Sequence, residues 1–214
     1  LSQCTWGADR PGRPIYLMGD SNAGQFTEAL IDASDRLDRP LVVATRGGCP
    51  LVDARVRTVG TQGVAAKGCQ AWFDDAVVWL QHQEAGTVVV ASADEVVTDD
   101  SLEVQRSEHV WSAHAAEKER LWREGAVTGT EAVEAAGHKT IVVAPVPHLP
   151  GEGRPWWHPA ECANAPWFRN TPESCDRSIS VDEYRTSQRA DREAAKESAD
   201  AVGGEFLDPQ DELC

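Results

Sequence analysis

The sequence predicts an α/β protein, a three-layer α/β/α sandwich around a five-stranded parallel sheet in the flavodoxin-like order 2-1-3-4-5. Two observations carry this. Short apolar runs at residues 15–18, 40–45, 87–91, 140–143 and 205–208 alternate with stretches of helical spacing, and right-handed crossovers between parallel strands place helices on both faces of a sheet. The run Thr-Val-Val-Val-Ala at 87–91 is unbroken, as expected of a strand buried on both faces.

Taken in order, residues 15–18 form the first strand and residues 24–37 a helix, with Phe26, Leu30 and Ile31 on its apolar face. Leu-Val-Val-Ala-Thr ends the second strand at Thr45. Gly47-Gly48-Cys49-Pro50 then breaks the chain, and the composition up to Gly68 predicts a long loop. Trp72, Phe73, Val77 and Leu80 return at helical spacing over 70–83. After the third strand, residues 103–136 are charged and alanine-rich and predict one or two helices with a solvated acidic face. The fourth strand leads to Pro145-Val146-Pro147-His148 and a proline- and tryptophan-rich loop over 147–177. Ser180-Val181-Asp182-Glu183 is a capping box that opens a helix to about Ala201, before the fifth strand.

With 214 residues and eight tryptophans, the chain can bury one substantial core, so a single domain over 1–214 is expected. Twenty basic against 35 acidic side chains give a net charge of −15, which repels phosphate backbones and argues against nucleic acid as a partner. No apolar run approaches the roughly 20 residues that span a bilayer. Six cysteines show no C-x-x-C and no zinc-finger spacing, so metal binding is disfavoured. Their even number and loop settings suit disulfides and an exported domain. Cys49–Cys69 and Cys162–Cys175 are the expected pairs, since each brackets a polar loop; Cys4 and Cys214 then bond to each other or to partners elsewhere.

Gly19-Asp20-Ser21 closes the first strand and opens the first helix. A serine there sits at the carboxyl edge of a strand beside free helix-start N–H groups, where negative charge is stabilised, a suitable place for a nucleophile and part of an oxyanion hole. The alternative is a plain turn in which Asp20 or Ser21 only caps the helix. Asp20 is expected to brace the turn. Among the histidines, His82, His109, His114 and His138 fall on helices or helix ends and are expected at the surface. His148 follows strand four on the catalytic rim and is the better candidate base, ahead of His158. Trp156, Trp157, Trp167 and Phe168 either stack on sugar rings and line an acyl pocket, with Arg154 and Arg169 as polar contacts, or pin the long loop as a small satellite core.

Met18-Gly19-Asp20-Ser21-Asn22-Ala23 resembles the first motif block of the SGNH (GDSL-like) hydrolases. More closely, the chain resembles the extracytoplasmic SGNH domain fused to membrane acyltransferases of the acyltransferase-three family, with Asn22 where that version carries histidine. The stretch from Thr45 to Pro50, the Cys69–Trp72 helix, the pair Cys162 and Cys175, and Asp208 with Leu213-Cys214 extend the likeness over nearly the whole chain. The resemblance implies an O-acyltransferase that modifies a cell-envelope glycan through a serine acyl-enzyme, or an esterase of the same fold; a non-catalytic glycan- or partner-binding module is the third reading. It makes Ser21 the nucleophile and gives the oxyanion to the N–H groups of Ser21 and of Gly47 or Gly48. At the third block, where an asparagine donor is usual, Ser92-Ala93-Asp94 stands, and Ser92 can donate while ionised Asp94 cannot. Asn22, His148, Trp156 and Trp157 are the expected substrate contacts. No cofactor is implied; the partners are an acyl donor presented by a membrane acyltransferase domain and a glycan acceptor. The family's closing Asp-x-x-His is absent from the 214 residues, whose nearest match is Asp208-Pro209-Gln210-Asp211. The expectation is a domain cut before that block, tethered outside the cytoplasm by a part not present here.

Overall fold

The computed structural model describes residues 3–93, 95–107, 110–147 and 178–213. Its strands are β1 (Cys4–Trp6), β2 (Ile15–Gly19), β3 (Leu41–Thr45), β4 (Arg55–Thr58), β5 (Thr87–Ala91), β6 (Leu102–Gln105), β7 (Lys139–Val143) and β8 (Glu205–Leu207). The helices are α1 (Ser21–Gln25), α2 (Thr27–Leu37), α3 (Val64–Leu80), α4 (Glu95–Thr98), α5 (Ala115–Ala135), α6 (Val181–Ser187), α7 (Arg189–Ala201) and α8 (Gln210–Leu213).

The main sheet runs β1-β3-β2-β5-β7-β8. Its five parallel strands stand in the expected order, and β1 is added antiparallel to β3 at one edge. From β2 the chain steps outward to β3, then turns back through β5, β7 and β8. Right-handed crossovers therefore divide the helices. Phe26, Leu30 and Ile31, from the α1–α2 side, pack with Leu17, Leu41 and Val89 on one face. On the other, Trp72, Phe73, Ala76 and Leu80 of α3 and Val133 of α5 pack against Tyr16, Met18, Val88 and Val90. A third cluster joins α4, β6, α5 and α7 through Val96, Val97, Val104, Leu121, Trp122 and Ala194. Among the described residues, no helix is long and apolar enough to cross a membrane.

Four expectations need correction. The stretch from Pro50 to Gly68 is not all loop, and 103–136 is not all helix. Arg55-Val56-Arg57-Thr58 and Leu102-Glu103-Val104-Gln105 pair antiparallel as a separate two-stranded ribbon, held by an Arg57–Glu103 ion pair at 2.6 Å and by the Arg57 guanidinium over the Trp111 ring. The face of α5 is not wholly solvated either. Lys118 is fully buried and its Nζ donates to the carbonyls of Asp99 at 2.7 Å and Leu102 at 3.2 Å; burial pulls its ammonium below its usual pKa, against the pull of Asp100, Asp99 and Asp191. Nor is His138 at the surface. It is 4% exposed, its Nδ1 accepts from Gly86 N–H at 3.2 Å, and this leaves Nε2 to donate to Leu80 C=O at 3.0 Å.

Candidate active site

In a sheet of this order, ligands bind outside the carboxyl ends of the strands where the chain reverses direction, here between β2 and β5. Gly19 ends β2 at φ 137°, and a Cβ there would lie 2.0 Å from Ala91 C=O, so only glycine lets the two strand ends close up. Asp20 follows, 2% exposed. One carboxylate oxygen caps α1 by accepting from Asn22 N–H at 2.8 Å, and the other accepts from Ala93 N–H, also at 2.8 Å. Asp20 thereby ties the end of β2 to the segment beyond β5. Burial raises its pKa above the usual value, while four backbone N–H bonds, Ala93 first, pull the other way.

Ser21 is the first residue of α1 and is exposed. Neither its hydroxyl nor its N–H has a hydrogen-bond partner among the described residues. The brace falls to Asp20 and leaves Ser21 open.

Beside it, β3 runs parallel to β2 with Thr45 opposite Gly19, and Arg46 N–H donates to Gly19 C=O at 3.0 Å. The next four residues form a tight turn, closed by Cys49 N–H on Arg46 C=O at 2.9 Å, with Gly48 at φ 70°. Gly47 and Gly48 are exposed, and a Cβ on either would meet nothing within 4 Å. Their N–H groups have no partner among the described residues. The turn is anchored at Cys49, 3% exposed and bonded to Cys69 of α3 with a Cα–Cα distance of 4.9 Å, as the spacing led one to expect. Cys4 on β1 is exposed and unbonded.

Ser92 stands half-buried just past β5. With Ala93, Trp122 and Pro145 it borders a small cavity of about 40 Å³, room for little more than a water or a methyl-sized group. Asn22 is half-buried on α1 and its Oδ1 accepts from Gln25 Nε2 at 3.0 Å. The structure thus brings Ser21, Asn22, Gly47, Gly48 and Ser92 to one rim. His148, Trp156, Trp157 and the pair Cys162–Cys175 lie outside the described residues, as do Asp94, His109, His158 and Cys214.

Asp208 reaches the end of β8 but is already engaged. Arg192 Nη1 donates to it at 2.9 Å, Arg192 Nη2 donates to its second oxygen, and Gln210 N–H adds a bond at 3.0 Å. The Arg192 guanidinium holds this carboxyl below the usual carboxylate range. The same arginine donates to Tyr184 Oη at 2.6 Å, which lies 3.3 Å from Pro145 C=O. This cluster joins α6, α7 and the end of β8 to the chain just past β7. A residue that the sequence reading passed over is Arg46, which stands exposed between Gly19 and the glycine turn. Its signal was a lone cation inside a glycine-rich break of an acidic chain.

The family model described as SGNH domain (fused to AT3 domains) matches residues 1–214. Among solved structures, the chain is similar to the periplasmic domain of the lipopolysaccharide acetyltransferase of Salmonella ser. Paratyphi A. The two share 12% identity at a TM-score of 0.60, over 97% of this chain and 70% of that one, and hence the fold. An acylhydrolase assigned in Bacteroides fragilis aligns at 13% identity and a TM-score of 0.42, over 97% of this chain and 74% of that one. Comparison with curated proteins gives no match.

Proposed function

The chain belongs to the family of SGNH domains fused to AT3 domains, and from that premise we propose that it is an O-acyltransferase domain acting on a cell-envelope glycan through Ser21. The observation that carries the reading is an exposed serine at the switch point of the sheet, with its own N–H and those of Gly47 and Gly48 all without partners among the described residues. In this reading Ser21 Oγ attacks the carbonyl carbon of an acyl donor as a base removes its proton. The tetrahedral oxyanion accepts from Ser21 N–H and from Gly47 or Gly48 N–H, with the Ser92 hydroxyl as a further donor. Collapse expels the donor's leaving group and leaves the acyl group on Ser21; a sugar hydroxyl then attacks, and Ser21 Oγ recovers a proton.

The base is a histidine outside the described residues, for which His148 beyond β7 is one candidate. His138 is excluded from that role, because both ring nitrogens are bonded to backbone at Gly86 and Leu80. Asn22, Trp156 and Trp157 contact the glycan. The donor is presented by a membrane acyltransferase domain of the AT3 type, and the reaction takes place outside the cytoplasm, where the Cys49–Cys69 disulfide persists.

The test is transfer of a labelled acetyl group to an envelope polysaccharide by the natural protein, compared with Ser21→Ala. Loss of transfer on substitution, with the fold retained, supports the reading. Release of the label to water at the same rate with and without polysaccharide makes the domain an esterase. Undiminished transfer by Ser21→Ala rules Ser21 out.

A further inference from the structure

Arginines on this acidic chain are mostly held by carboxylates. Arg10 pairs with Asp35, Arg57 with Glu103, Arg106 with Asp53 and Glu124, and Arg192 with Asp208. Arg46 breaks the pattern at the rim. It is exposed, and its guanidinium has neither an ion pair nor a hydrogen bond among the described residues. Its backbone is not loose, since its N–H is bonded to Gly19 C=O, two residues before Ser21. Nor is its side chain remote from structure. A Cβ on Gly68 would lie 3.4 Å from Arg46 Nη2, so the guanidinium lies against α3 at a glycine, next to the Cys69 that anchors the turn. A Cβ on Gly47 or Gly48, the next two residues, would meet nothing within 4 Å, so the turn beside this cation is open to a ligand.

A chain with 35 acidic and 20 basic side chains repels anionic substrates in general, so an anionic one needs a local cation. A neutral substrate needs none. We propose that Arg46 binds an anionic group on the acyl acceptor, a sugar carboxylate or phosphate, and so selects acidic glycans for the Ser21 site. The inference rests on the reading of Ser21 as the nucleophile. A planar guanidinium grips either oxyanion with two parallel N–H bonds, a geometry that a lysine ammonium does not reproduce.

The test is an amide-resolved NMR titration of the protein and of Arg46→Gln, Arg46→Lys and Ser21→Ala. The probes are trigalacturonic acid, glucose 6-phosphate and neutral maltotriose, and thermal unfolding checks each variant's fold. One or both anionic probes are expected to shift the Gly47 and Gly48 amides, with affinity falling about tenfold or more in Arg46→Gln. Arg46→Lys should keep part of it and Ser21→Ala all of it. Response to trigalacturonic acid alone identifies a carboxylate, and response to glucose 6-phosphate alone a phosphate. Equal binding of maltotriose, or binding undiminished in Arg46→Gln, overturns the inference. Acylation of Ser21 by p-nitrophenyl acetate in the natural protein is scored separately. Acylation without Arg46-dependent binding removes this inference and keeps the nucleophile; Arg46-dependent binding without acylation keeps the anion site and removes the nucleophile.

Discussion

The two ends of the central sheet treat polar groups in opposite ways. At the amino end, His138 is bonded on both ring nitrogens, Tyr16 Oη donates to Glu84 C=O at 2.8 Å, and the two rings meet edge to face. Burial first, then the Glu84 charge, pushes the Tyr16 hydroxyl up to about 12. Gly86 fits there only without a Cβ, which would lie 2.2 Å from Pro14 C=O. At the carboxyl end Asp20 is buried and bonded, whereas Ser21, Gly47 and Gly48 beside it keep donors that nothing among the described residues uses. Satisfied polar groups mark architecture, whereas donors left open on a rigid frame mark chemistry.

The comparison breaks if the amino end matters to chemistry. His138→Ala should cost about 3 kcal/mol of stability, because it opens a cavity and strands Gly86 N–H and Leu80 C=O. Denaturant unfolding measures this, and the acyl-transfer rate per folded molecule should be unchanged. Removing the disulfide with Cys49→Ser and Cys69→Ser should cost about 3.3 kcal/mol by the loop-closure model for a separation of 20 residues. Here the rate should fall too, since the glycine turn loses its anchor.

Asp20→Asn sharpens the contrast within the rim. The amide keeps one acceptor, so either Asn22 N–H or Ala93 N–H faces another donor, at a cost of about 2 kcal/mol. Transfer should fall with it, read as a lower kcat, because either the cap of α1 or the tie to the segment after β5 is lost.

The smallest effect is a pair of opposite pH slopes. Asp208 titrates below its ordinary 3.8 in the folded state, so its contribution to stability is present above that pH and is lost as pH falls through the folded value. Asp20 titrates above 3.8, so its contribution is fully present below that pH and declines as pH rises through its folded value. Stability measured against pH should therefore show a smaller acid fall in Asp208→Asn and a smaller decline above 3.8 in Asp20→Asn.

Much of this was legible in the sequence. Parallel strands buried on both faces are written as apolar runs, and all five were found with their order. The capping box is present as read, Ser180 Oγ accepting from Glu183 N–H at 3.2 Å and Ser180 N–H donating back at 3.1 Å. The β4–β6 ribbon was hidden because its period-2 signal, Arg-Val-Arg-Thr against Leu-Glu-Val-Gln, is only four residues long, the first half in a stretch that reads as loop and the second beside charges that read as helix surface. β1 has only three residues at an edge. His138 and Lys118 were misread for a shared reason. Each is buried by partners distant in sequence or by backbone carbonyls, and neither leaves a trace in local composition. Ser21 and the glycine turn were legible because glycine-rich breaks after strands are local; the tie from Asp20 to Ala93, 73 residues away, was not.

The central proposal is that Ser21 is the nucleophile on this rim. The direct measurement is peptide mapping of the natural protein after reaction with a fluorophosphonate probe, in the wild type and in Ser21→Ala. The account predicts a single adduct on Ser21, lost in the variant while thermal unfolding stays the same. An adduct on Ser92 instead, or acyl transfer that survives Ser21→Ala, would contradict it.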